Sequence, residues 1–200
     1  MPALEKVRFF ILKRIKWSES DLILQTLTPQ GAKLSCLARG ALKSKRRFNG
    51  GVLEPTHFVE AVIRPSSQAD GLATIEEAKL IEAFEGLRTS YDRLETALQV
   101  LEIIEKVAQA NDQNSQHLFD LLGHSLRALQ TTESILATKA QFVLKFLYHQ
   151  GVLEVEPWMN TYLKAPMNEL SGAQLSPLAS GHIKWLDSQV EMYIKTAEQF

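Results

Sequence analysis

The apolar pattern of this 200-residue chain changes period once, near residue 82, and that switch divides what it can fold into. Before it, apolar residues alternate in short runs, the mark of strands with one buried face. Val7–Ile15 places Val7, Phe9, Ile11 and Ile15 on one side and Arg8, Phe10, Leu12 and Arg14 on the other. Asp21–Thr28 and Ala32–Arg39 are two further strand candidates, parted by the turn signal Pro29-Gln30-Gly31. Phe58–Arg64 is rich in β-branched residues, and Pro65–Gly71 links it to a last strand, Ala73–Leu80. Five short strands with no crossover helix exclude a parallel βαβ sheet and predict a small barrel or sandwich. Gly40–Thr56, basic and glycine-containing, reads as a loop between the third and fourth strands.

After residue 82 the spacing becomes three and four. Leu87, Tyr91, Leu94, Leu98, Leu101, Ile104 and Ala108 predict a stripe on a helix of about 24 residues. Leu118, Leu121, Leu122, Ser125, Leu126 and Leu129 mark a second helix, and Leu136, Ala140, Val143 and Leu147 a third. Gly151 stands where a left-handed helix end is expected. Residues 152–179 read as loop with short pieces, and Ser180–Glu198 as a closing amphipathic helix. The fold class is α+β: a β domain over 1–80, then a helical domain over 81–200.

Charge follows its own division. Residues 1–50 carry eleven Lys/Arg against three Asp/Glu, a net +8, while the remaining 150 carry eleven against twenty, a net −9. The total of −1 is therefore a cancellation, and a basic head suggests a polyanion partner. With 45% apolar and 22% charged residues, bulk disorder is excluded. Cys36 is the single cysteine, which excludes a disulfide framework and a cysteine-based zinc site. No apolar run reaches the ~18 residues of a membrane span, and the N-terminus lacks a signal-peptide cleavage pattern. A reducing cytoplasm is the expected compartment, with no membrane partner.

The densest chemical signal is Arg39 to Arg47: Arg39, Lys43, Lys45, Arg46 and Arg47, five bases within nine residues. A basic segment among glycines can follow a phosphate backbone closely and release its counterions. Lys13, Arg14 and Lys16 form a second basic stretch, beside Trp17, which can stack on a base or enter the core. A solvated basic loop is the bland alternative.

Other constellations lead nowhere catalytic. His117, Asp120 and His124 share a helix face, but the two histidines lie roughly 10 Å apart along the axis and cannot jointly hold one ion. Glu76 and Glu77 point to opposite faces of a strand. Cys36 alternates with Leu34 and is expected in the core. The sequence contains no nucleophile elbow, phosphate loop or dinucleotide fingerprint. No catalytic residue, metal ligand or cofactor is assigned, and the chain is not read as an enzyme.

Particular residues then resemble a known family. Trp17–Leu24, Leu27-Thr28-Pro29, Gly31–Leu34, Leu37–Ala41, Leu53–Thr56 and Ala78–Arg88 together are similar to the N-terminal domain of the bacterial recombination mediator RecO. Weaker likeness continues in Leu144–Leu147 before Gly151 and in Leu175-Ser176-Pro177. The resemblance implies a five-stranded OB-fold barrel followed by a helical domain. It implies binding of single- and double-stranded DNA, annealing of complementary strands, and help in loading RecA in the RecF pathway. Its implied partners are RecR and the C-terminal tail of single-strand binding protein, with RecA reached indirectly, in a nucleoid-associated cytoplasmic setting. Tail docking belongs to the helical domain, where Arg127, Lys139 and Lys145 are the candidate cations. Many members carry a four-cysteine zinc module after the third helix; this chain has Gly151–Ser180 there and no cysteine. The alternatives from other classes are an OB-fold protein-interaction adaptor with little DNA binding and an RNA-binding OB protein.

Overall fold

A computed structural model describes residues 3–44, 46–48, 51–66, 71–110, 112, 114–167, 169 and 180–197. It contains two compact units: residues 1–83 with 108–119, and residues 84–107 with 120–200.

The first unit is a closed five-stranded barrel ordered β1-β2-β3-β5-β4. Its strands are β1 (Glu5–Lys16), β2 (Leu22–Leu27), β3 (Lys33–Ala38), β4 (Phe58–Arg64) and β5 (Ala73–Glu82). All neighbours are antiparallel except β3 and β5, which run parallel and close the sheet. Closure removes the unpaired edges that a five-stranded sheet would otherwise expose. Phe58–Arg64 alternates strictly between half-buried and buried, as its sequence predicts. Phe9, Ile11, Leu24, Cys36, Val59 and Ile75 fill the interior, each fully buried. On the outer face Phe10 packs 4.8 Å from both Phe58 and Phe119, ring centroid to centroid.

One irregularity breaks the expected alternation of β1. The β1–β2 register slips between Ile11 and Lys13, so Leu12 is the extra residue of a β-bulge. Beyond it the faces exchange: Arg14 now lies opposite Leu24 and Lys16 opposite Leu22, both core residues. Directly opposed residues share a sheet face, so Arg14 and Lys16 stand on the inward side, at the barrel rim. Ile15, expected with Phe9 and Ile11, is instead 39% exposed beside Ile23.

The segment between β3 and β4, read from sequence as a basic loop, is packed against the barrel and is not the solvated loop of the bland alternative. Phe48, Val52 and Leu53 are buried in the barrel core, so this segment plugs one mouth of the barrel. Three apolar residues in a basic run were the signal of this, and burying them stabilises by ~2 kcal/mol each.

In the second unit the first predicted helix is shorter and turned. A 3-10 turn, Glu85–Thr89, precedes α1 (Tyr91–Val107), and Ser90 between them is extended. The buried face is Ala97, Val100, Leu101 and Ile104; Tyr91 and Leu98, placed on the stripe from sequence, are exposed. Arg93 donates to the carbonyls of Leu129 (2.6 Å) and Thr132 (2.7 Å), capping α2 (Gln116–Thr131). Next comes α3 (Ile135–His149), on which Leu136 is exposed while Ala140, Val143 and Leu147 are buried. It ends in a Schellman motif: Val152 N–H reaches Leu147 O (3.2 Å) and Gly151 N–H reaches Tyr148 O (3.0 Å), with Gly151 at φ +70°. Short α4 (Asn160–Lys164) and then α5 (Ser180–Ala197) follow, and α5 buries Leu186 and Val190. Among the described residues no helix is long and apolar enough to cross a membrane.

Candidate nucleic-acid interface

The two basic stretches read from sequence meet at one end of the barrel. Lys16 pairs with Leu22, and Leu22 with Ala38, so the end of β1, the start of β2 and the end of β3 lie side by side. The turn from β1 to β2 closes through Trp17 N–H and Asp21 O (3.0 Å). That turn is tied to the segment after β3: Asp21 Oδ1 accepts Gly40 N–H at 2.7 Å, and Ser20 O accepts Leu42 N–H at 3.0 Å. Gly40 sits at φ +66°, a conformation that costs most residues but not glycine. The Gly40 amide foremost, with the Ser18 and Ser20 hydroxyls and nearby Arg39 assisting against desolvation, holds the Asp21 carboxyl below its ordinary value of 3.8.

Lys13, Lys16, Arg39, Lys43 and Arg46 are exposed at this end, and Trp17 is 67% exposed. Trp17 therefore presents an open ring and takes no part in the core. Lys45 lies outside the described residues. Arg47 has an internal duty: its Nη2 donates to Arg39 O at 2.7 Å and its guanidinium lies 5.2 Å from the Phe48 ring centroid. With Ala78 N–H donating to Arg47 O (3.1 Å), Arg47 fixes the plug and the charge next to it. A cleft of about 260 Å³ opens there, walled by Leu22, Leu42, Phe48 and Leu53, with Arg14, Lys43 and Glu54 on its lining. Arg14 Nη1 and Glu54 Oε1 form an ion pair across it.

Charge is less divided between the units than along the sequence. The barrel unit carries thirteen Lys/Arg and ten Asp/Glu, and the other unit nine and thirteen. Several barrel acids are spent locally: Glu60 holds Lys6 (2.7 Å) and Arg8 (3.1 Å), and Glu76 holds Arg64 (3.0 Å). What distinguishes the plugged end is the concentration of bases within it.

The three cations proposed for protein docking sit in the second unit. Lys139 pairs with Asp187 at 3.1 Å, and Lys145 donates to Leu163 O at 2.7 Å, with burial lowering its pKa. Arg127 is exposed. Gln141, missed from sequence, is fully buried beside Lys145 and donates to the carbonyls of Tyr162 (3.0 Å) and Ala165 (2.8 Å). Together they hold the end of α4 against α3. Asp120 and His124 are exposed and His117 is half-buried, and among the described residues no three His, Cys, Asp or Glu are grouped to hold a metal ion. A single cysteine, buried in the barrel, does not fit a four-cysteine zinc module.

Residues 1–84 match the family model described as recombination protein O, N-terminal. The chain is 33% identical over 170 residues to the DNA repair protein RecO of Syntrophus aciditrophicus, covering 83% of this chain and 62% of that protein. It is 32% identical over 148 residues to the DNA repair protein RecO of Anaeromyxobacter dehalogenans, covering 74% and 57%. The chain thus spans about three fifths of the length of these curated relatives. Among solved structures, the asparaginyl-tRNA synthetase of Entamoeba histolytica aligns with 78% of this chain at 16% identity and a TM-score of 0.36, too slight a likeness to bear on the fold.

Proposed function

We propose that the chain is a RecO-family protein, on the match of residues 1–84 and its similarity to DNA repair RecO proteins, and that its plugged barrel end binds the phosphate backbone of DNA in a non-enzymatic repair and recombination role. The observation that supports this best is the Asp21–Gly40 tie, which brings Lys16 and Trp17 to the same end as Arg39, Lys43 and Arg46. A track of bases flanked by an exposed indole suits single strands: cations neutralise phosphates while a ring stacks on a base. Double-stranded DNA would be held through phosphates alone, without base readout.

Annealing follows from the same chemistry. Neutralising two polyanions lowers their mutual repulsion, after which base pairing proceeds without a catalytic group. Lys13, Arg14, Lys16, Trp17, Arg39, Lys43, Lys45, Arg46 and Arg47 are the proposed DNA contacts. RecR, the tail of single-strand binding protein and, indirectly, RecA are the proposed partners, in the cytoplasm at the nucleoid. Arg127, Lys139 and Lys145 are the proposed docking cations of the helical unit, and of these Arg127 is exposed.

Fluorescence anisotropy of a labelled single-stranded DNA, repeated with RNA of the same sequence, tests this reading. Expected are sequence-tolerant binding of DNA and a steep loss of affinity as salt rises. Preference for RNA would favour the RNA-binding alternative, and no binding to either would favour the protein adaptor.

A further inference from the structure

Two irregularities of the backbone exist side by side at the barrel rim, and both serve one pair of side chains. The bulge at Leu12 turns Arg14 from the outer face of β1 to the cleft. Opposite it, Thr56 adopts φ +78°, a left-handed conformation that a β-branched residue takes only under constraint. The turn is held there by Thr56 N–H to Ile11 O (3.1 Å), Ile11 N–H to His57 O (2.9 Å) and His57 N–H to Glu54 O (3.2 Å). It presents Glu54, two residues earlier, to Arg14. Strain kept at a rim beside a cleft points to use of the group it positions.

Resting on the DNA-binding reading above, we propose that Glu54 is a specificity-determining residue: an internal anion that occupies Arg14 until a nucleic-acid phosphate displaces it. Both side chains are partly exposed, at 38% and 33%, so the pair is weak enough to open. An isolated phosphate gains little by exchanging places with a carboxylate that is already seated. A strand held by Lys43 and Arg46 presents its next phosphate to Arg14 at high effective concentration, and the exchange then succeeds. Glu54 thereby favours chains of phosphates over single ones, and it makes Arg14 a contact acquired only after others are in place.

A double-mutant cycle on the full 200-residue chain tests this, using Glu54→Gln, Arg14→Met and both together, each first shown to melt as the parent does. The reading is binding of a labelled single-stranded DNA across a salt series, with inorganic phosphate as competitor. Expected for E54Q is tighter binding by about three- to tenfold at low salt, with the slope of log K against log salt unchanged, because Arg14 meets a phosphate in both complexes. The same substitution on the R14M background should then change nothing, and phosphate should compete better against E54Q than against the parent. If E54Q tightens binding equally without Arg14, only net charge is at work and the displacement is wrong. If the parent binds DNA and E54Q leaves affinity unchanged, the proposal also fails. Should the folded parent bind no DNA at all, the functional reading falls first and this proposal with it.

Discussion

The carboxylate of Asp21 accepts the amide N–H of Gly40 at 2.7 Å, and this bond joins segments that are 19 residues apart in sequence. Its strength depends on ionisation. The folded-state pKa of Asp21 is held below 3.8, so the contribution is complete above 3.8 and disappears as pH falls through the lower, folded value. The Gly40 amide resonance should titrate with a midpoint below 3.8. Asp21→Ala should speed hydrogen exchange at Gly40 and weaken DNA binding, because Lys16 and Arg39 are then no longer held at one end. Unchanged exchange at Gly40 would show that the tie has no role.

Gly31 lies at φ +90° with Ser115 O only 2.1 Å from where a Cβ would stand. Gly31→Ala therefore combines backbone strain with a main-chain clash. Denaturant unfolding should show a loss of at least about 1–3 kcal/mol. Ser115→Gly should not rescue it, since the clashing atom is backbone. A loss below about 0.5 kcal/mol, the scatter of surface substitutions, would contradict this packing of residues 108–119 on the barrel.

Burial pushes the Cys36 thiol up to about 12, with the Thr26 hydroxyl opposing weakly. The thiol should resist alkylation at pH 8 in the folded chain and react once the chain unfolds. Because the folded value is raised, its contribution to stability is complete below the ordinary 9.0 and is lost as pH rises toward 12. Rapid modification by a bulky disulfide reagent under native conditions would contradict a closed barrel core.

The strands were legible because alternation is local. Phe58–Arg64 needs no distant partner to declare its faces, and its bounds agree with the sequence reading. Both basic stretches were legible for the same reason. Their meeting was not, since it depends on barrel closure and on a carboxylate whose acceptor role no pattern announces. The Leu12 bulge was hidden because an extra residue in a strand leaves the composition of both faces plausible; only its pairing with β2 shows that Arg14 has changed sides. On α1, Leu94 and Leu98 drew the stripe toward bulky residues, whereas the packed face uses Thr96 and Ala97, whose small size lets neighbours approach. In the second unit, Lys145 looked like a docking cation because sequence cannot show that Leu163 O receives it.

The sharpest measurement is the salt dependence of single-stranded DNA binding after Lys43→Ala, Lys45→Ala and Arg46→Ala are combined, with Arg47 retained because it holds Arg39 O and the plug. Melting should match the parent, affinity should fall, and the slope of log K against log salt should flatten by about 2, roughly 0.7 for each phosphate contact removed. A folded triple variant with the parent's affinity and slope would contradict DNA binding at the plugged end of the barrel.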